Sequence, residues 1–435
     1  MAEEIKKLDK ILKSFFYFGW TLLLISIFFK YTKTLWWIGN SLIFLFIFVF
    51  FLLNKEIFKY FYKLRGLKNL LIILAIFLFL LLLFSLFISL NRIYSIEAFI
   101  TNYFFNIIVF LSLICLIYFY KNNNIILILF VLISFVYVMF VMYLLMFFGN
   151  LCELNLSCYV LSISNEIFED AILQKPLTIL PSAYLLCFSV FLIGFITERG
   201  KLKYLFLVLF SIAFLIILWF NRRAILLGIF LSLVFFIFNA QSKYIKKFVL
   251  FLTGLFFILA FLIFNNPLLK NMFLGRDNLS ILISKNYEDF PQSGSLGIRL
   301  YTWPIYIKYL IKNPVKGTGI GRKVQKIAIE KYNLNPLGIG NPHNTFLNIW
   351  MQAGIQTLIV FLLLYFMTLK RALELLSSRI FPYDRFGIGL VVFFIACFVY
   401  MNFFGMEEGT RFAPFWIASG LTWGLWTKLK LSNWV

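Results

Sequence analysis

The stretch 338–369, GIGNPHNTFLNIWMQAGIQTLIVFLLLYFMTL, holds the single histidine of the chain, His343, at the mouth of an apolar run with no charged residue from Asn344 to Leu369. A run of that length spans a hydrocarbon core about 30 Å thick. The rest of the sequence agrees: 62% of the 435 residues are hydrophobic and 21% aromatic. Soluble domains average roughly 45–50% apolar, so the chain is predicted to be mostly embedded in a membrane.

Twelve such runs are expected, near 14–30, 35–53, 69–90, 98–119, 124–148, 179–197, 203–220, 224–240, 247–265, 344–369, 386–404 and 412–427. Short cytoplasmic loops carry the excess of Lys and Arg, which tests the count independently. With the N-terminus inside, the inner segments hold Lys6, Lys7, Lys10, Lys13, Lys55, Lys59, Lys63, Arg65, Lys68, Lys121, Arg199, Lys201, Lys203, Lys243, Lys246, Lys247, Lys370, Arg371, Arg379, Arg385, Lys428 and Lys430, or 22 cations. The short outer loops hold seven: Lys30, Lys33, Arg92, Lys175, Arg222, Arg223 and Arg411. The expectation is therefore an all-α polytopic membrane protein with both termini cytoplasmic. Much of the net charge of +22 is topological and calls for no nucleic acid. The first apolar run lacks a small-residue cleavage site and is read as an uncleaved first helix.

Three segments follow from this topology: helices one to nine over 1–265, a large outer loop over 266–343, and helices ten to twelve over 344–435. The loop carries eleven Lys or Arg against four Asp or Glu. Within it, IRLYTWPIYIKYLIKNP places Leu300, Trp303, Ile307, Leu310 and Ile311 at helical spacing beside Lys308 and Lys312, which suits a helix lying on the membrane or on the bundle. Pro304 fits the first turn if Thr302 caps that helix; if the helix starts earlier, Pro304 kinks it. Among the cysteines, Cys115, Cys187 and Cys397 fall in apolar runs and read as small hydrophobes. Cys152 and Cys158 share an outer loop, compatible with a disulfide in an oxidising compartment or with two thiols.

Asn341 is a good helix cap and Pro342 suits a first helical position, so His343 is expected in the first turn of the tenth span. The positive end of a helix and the basic loop both disfavour imidazolium, leaving the neutral ring that a general base requires. The plain alternative is an interfacial capping residue. Asn344, Asn348 and Gln352 continue from it as a polar stripe, costly in hydrocarbon unless it faces protein or water. A metal site is not expected, since there is no second histidine.

Arg222 and Arg223, in WFNRRAILLG, separate two spans on the outer face, where the charge rule predicts few cations. They read either as headgroup-snorkelling side chains or as a clamp for a diphosphate, which arginine binds bidentately. Arg299 alone is not separable from Lys308 or Arg322. The glycines of NPVKGTGIG, residues 313–321, lack the spacing of a P-loop and read as a turn.

In order along the chain stand an Arg at the outer end of a span, R-x-x-x-W (Arg299 to Trp303), N-P-V-x-G-x-G (Asn313 to Gly319) and P-H-N-x-x-L (Pro342 to Leu347). That order resembles the O-antigen ligase and polymerase superfamily. The resemblance implies a polytopic glycosyltransferase with a periplasmic site, a polyprenyl-diphosphate-linked glycan donor and no cofactor. It carries roles onto Arg222, Arg299 and His343. Asn344, Asn348 and Trp303 are candidates for supporting them. The family usually has a small residue after the first Arg, whereas Arg223 follows here, so the choice within the pair stays open.

A ligase of this kind moves the glycan from undecaprenyl diphosphate to a sugar hydroxyl of lipid A-core with inversion. A polymerase, or an oligosaccharyltransferase acting on protein, shares the chemistry with another acceptor. A lipid-linked glycan flippase or secondary transporter is the reading of a different class, but such proteins place binding groups near the midplane of repeated halves. No obvious internal repeat is present here.

Overall fold

Backbone amides in hydrocarbon must be satisfied within the segment, so apolar runs of Leu, Ile and Phe fold as helices. The computed structural model describes residues 14, 16–26, 33–53, 64–119, 181–197, 200–219, 223–239, 250, 253–254, 265, 287–293, 295–334, 342–406 and 409–432. Every element among them is helical. In chain order they are α1 (Phe16–Ser26), α2 (Lys33–Leu53), α3 (Arg65–Leu83), α4 (Arg92–Ala98), α5 (Phe105–Phe119), α6 (Pro181–Thr197), α7 (Lys201–Trp219) and α8 (Arg223–Asn239). After them come α9 (Ser295–Lys312), α10 (Arg322–Lys331), α11 (Thr345–Ser377), α12 (Tyr383–Phe403) and α13 (Gly409–Ser432). A π-helical turn over Phe84–Ile88 extends α3, and another over Phe99–Phe104 joins α4 to α5.

Among the described residues, four helical stretches are long and apolar enough to cross a membrane: Gly66–Ile88, Arg92–Cys115, Thr345–Ser377 and Tyr383–Phe403. The expected run at 124–148, most of that at 247–265, and Cys152 with Cys158 lie outside the described residues. Helix α11 is central, packing against α3, α12 and α13, while α13 lies along α5 and α12 touches α6 and α8. At the end of α11 far from His343, Arg371 stacks on Trp426, 4.2 Å from the ring centroid, and pairs with Glu374 at 2.6 Å. Trp426 donates its indole N–H to the same carboxylate.

Helix α11 is broken at Ala353 and Gly354, where Gly354 takes φ +76°, a conformation suited to glycine. The carbonyls freed by the break accept from the loop before α10: Thr318 N donates to Met351 O at 2.9 Å and Gly319 N to Gln352 O at 3.0 Å. Ile355 N donates to Pro314 O at 2.8 Å. The NPVKGTGIG segment, expected as a plain turn, thus supplies the hydrogen bonds that the kink removes. Its glycines are fitted to that task. A side chain at Gly317 would overlap Gln352 O, and one at Gly319, already at φ +105°, would overlap Ser89. We expect Gly319→Ala to cost about 1–3 kcal/mol of strain, read as a lower thermal midpoint in detergent and lower membrane abundance. An unchanged midpoint would show that the loop is not a structural stitch.

Two alternatives left open for the outer loop gain detail. Helix α9 begins at Ser295, and Thr302 lies inside it, its hydroxyl donating to Ile298 O at 2.9 Å; Thr302 is not a cap and Pro304 is interior. The buried face of α9 runs through Thr302, Tyr306 and Leu310, whereas Ile307 and Ile311 are exposed. Tyr306 and Leu310 share a small core with Ala328, Ile329, Leu334 and Met351, and that packing sets the rotation of α9. The apolar stripe and the protein-facing side are thus different faces: two of the three residues turned inward, Thr302 and Tyr306, carry hydroxyls, while Ile307 and Ile311 point outward, as suits a helix lying on a membrane.

Candidate active site

The cap residue of α11 is Asn344, one turn later than expected: its Oδ1 accepts from Phe346 N at 2.9 Å and Leu347 N at 3.0 Å. Its Nδ2 donates to Asn402 O at 2.9 Å. Pro342 and His343 therefore precede the helix, and His343 takes φ +49° rather than helical angles. Histidine is among the residues that enter this region more readily. Two contacts from distant parts of the chain bracket it: the cap bond to Asn402 on one side, and Trp303 Nε1 donating to Pro342 O at 2.7 Å on the other. Asn341 lies outside the described residues.

The polar stripe is buried against protein, as hydrocarbon energetics demand. Gln325 on α10 donates to Asn348 Oδ1 at 3.2 Å, and the Tyr103 hydroxyl donates to Gln352 Oε1 at 3.0 Å. Asn348 and Asn344 thus hold α11 to its neighbours, and Trp303 ties α9 to the residue before the histidine.

A further wall is the stretch 404–406 that follows α12, which carried no expectation. Phe404 leaves α12 in an extended conformation, and its carbonyl accepts from the Thr345 hydroxyl at 2.6 Å. Thr345 Oγ1 in turn accepts from Met406 N at 2.9 Å. The imidazole of His343 meets the Phe404 ring edge to face, centroids 6.4 Å apart, and the Arg299 guanidinium carbon lies 6.0 Å from the same ring's centroid. Arg299 and His343, 44 residues apart in sequence, converge on one aromatic side chain.

Burial and the positive charges of Arg299, Arg322 and Arg411, in that order of effect, pull the His343 pKa down to about 4. The ring is neutral at pH 7, as expected, but for reasons only partly foreseen. Arg322 opens α10, and Arg411 lies in the first turn of α13, where a cation opposes the helix dipole. Arg411 could have been suspected as one of the few cations expected on the outer face, like Arg222 and Arg223; Arg322 had no such signal. Arg222 lies outside the described residues, as does the side chain of Arg223, the residue that opens α8.

Residues 207–362 match the family model described as O-antigen ligase. That match bears out the resemblance to the O-antigen ligase and polymerase superfamily drawn from motif order, and it contains Arg222, Arg223, Arg299 and His343. Members of the family are glycosyltransferase-like enzymes, ligases and polymerases. No curated protein matches the chain.

The depressed histidine pKa has a consequence for stability. Unfolded, the imidazole binds a proton below about pH 6.5; folded, it does so only near pH 4. Between those values the unfolded state holds more protons, so stability is full above the upper value and falls with pH by on the order of 3 kcal/mol. We expect the thermal midpoint of detergent-solubilised protein to drop more between pH 7 and 4.5 in the wild type than in His343→Gln. Parallel curves would show that His343 titrates normally.

Proposed function

We propose that the protein is an O-antigen ligase of the bacterial inner membrane, with twelve spans, both termini cytoplasmic and its site on the periplasmic face. The observation that carries the reading is the neutral His343 beside a cluster of arginine charge, inside the segment that matches the family. The donor is an undecaprenyl-diphosphate-linked glycan and the acceptor a sugar hydroxyl of lipid A-core. In this mechanism the acceptor hydroxyl gives its proton to the imidazole of His343 as its oxygen attacks the anomeric carbon. The bond from that carbon to the diphosphate oxygen breaks, and the electron pair leaves with undecaprenyl diphosphate. Arg222 or Arg223, together with Arg299, binds the departing charge, the electrostatic help that such reactions need most. Attack opposite the leaving group inverts the anomeric centre.

The three segments then have distinct tasks: 1–265 supplies the first arginine and most of the membrane body, 266–343 the cap with Arg299, and 344–435 the frame behind His343. Deleting the gene and examining the lipopolysaccharide tests the acceptor. Loss of all O-antigen with accumulation of lipid-linked polymer is the expected result. Single-repeat caps would instead indicate a polymerase, and lost glycoproteins with intact lipopolysaccharide a protein acceptor. Turnover by purified protein in detergent, with no membrane to cross, separates transfer from transport.

A further inference from the structure

We propose that Phe404 is a positioning residue whose ring holds Arg299 and His343 at a fixed spacing. The inference rests on the reading that those two side chains serve glycan transfer. Its basis is a chain of contacts. Both groups meet one ring, the guanidinium at 6.0 Å and the imidazole at 6.4 Å with the planes inclined by 69°. The ring itself is held from two directions. Tyr400, one turn earlier, stacks on it at 4.9 Å with planes 16° apart, and the Phe404 backbone is bonded to Thr345, two residues after the histidine. The neighbouring Phe403 packs on Trp303, the residue that bonds Pro342 O. Phe404 is thereby indexed to α9, α11 and α12 at once.

An aromatic ring is suited to this position in a way that an aliphatic side chain is not. Its negative face attracts a guanidinium, and it accepts a neutral imidazole in a tilted, edge-to-face arrangement. During transfer His343 takes up a proton, and two cations must then coexist in a partly buried space. Repulsion would swing both side chains away from their working positions unless a rigid group touches both. Small misplacements of reacting groups are costly in rate, so the ring acts through the geometry of its neighbours.

Because the chain has one histidine, nitrogen-15 labelling of histidine gives a single imidazole to observe. The test compares wild type, Phe404→Leu, Phe404→Tyr and Phe404→Trp in nanodiscs, each at verified thermal midpoint. Phe404→Leu is expected to lower kcat about tenfold to a hundredfold with little change in donor KM, and to broaden the imidazole signals through exchange between orientations. Phe404→Tyr and Phe404→Trp should recover most of kcat and a sharp ring. Wild-type kcat in Phe404→Leu, or an imidazole as sharp as in the wild type, overturns the proposal. A lowered midpoint with unchanged kcat per folded molecule also overturns it, leaving packing alone. Should the wild type transfer no glycan while Phe404→Leu still disorders the imidazole, the positioning stands and the transferase reading falls.

Discussion

His343→Ala, inserted at wild-type abundance, is expected to lose transfer activity by about 10²–10⁴, the usual contribution of a positioned general base. The loss should fall on kcat and kcat/KM together, since the proton moves only in the transition state. A base with a pKa near 4 is a weak acceptor of protons in the free enzyme. Three of the causes of that low value are arginine charges, however, and an anionic diphosphate bound among them offsets their field. The donor complex should therefore hold a more basic imidazole than the free enzyme. The acid limb of kcat/KM is expected near pH 4, and that of kcat at higher pH. Coincident limbs would mean that the donor's charge does not reach His343. Full activity of His343→Ala would remove the base role altogether.

How far the site could be read from sequence depended on whether each residue's role is set locally. The membrane class was legible because it is a property of composition, and the buried polar stripe because four-residue spacing puts Asn344, Asn348 and Gln352 on one helix face. His343 stood out by being unique. Its conformation did not, since Asn341 and Asn344 are equally good caps around Pro342, and what selects Asn344 is a bond to Asn402, 58 residues away. Arg299 was visible only through the order of motifs, because nothing near it distinguishes it from Lys308. Phe404 was invisible among the chain's 58 phenylalanines: its significance is that two remote side chains meet it. The protein-facing side of α9 was not legible for a related reason, with Tyr306 and Thr302 turned inward by the packing of α10 and α11.

The arginines differ in what lysine can replace, and this gives the second large effect. Lysine keeps the charge but loses the planar fork, so a bidentate contact with diphosphate should suffer while a snorkelling side chain should not. Loss of a charge-assisted hydrogen bond of about 1.5–3 kcal/mol corresponds to roughly ten- to a hundredfold in rate. We expect Arg222→Lys to fall in that range and, if the first of the pair is the family's arginine, Arg223→Lys to be milder. Arg299→Lys should be at least as poor as Arg222→Lys, since it also removes the guanidinium that lies 6.0 Å from the Phe404 ring centroid. Arg322→Lys and Arg411→Lys should be mild if those residues act on His343 by charge alone. The comparison requires equal membrane levels of each variant, because a misinserted helix would mimic a lost contact. Equal activity of Arg222→Lys, Arg223→Lys and Arg299→Lys would leave charge as the sole requirement and sink the clamp. A deeper defect in Arg223→Lys than in Arg222→Lys would keep the clamp and move it one residue, to the position that opens α8.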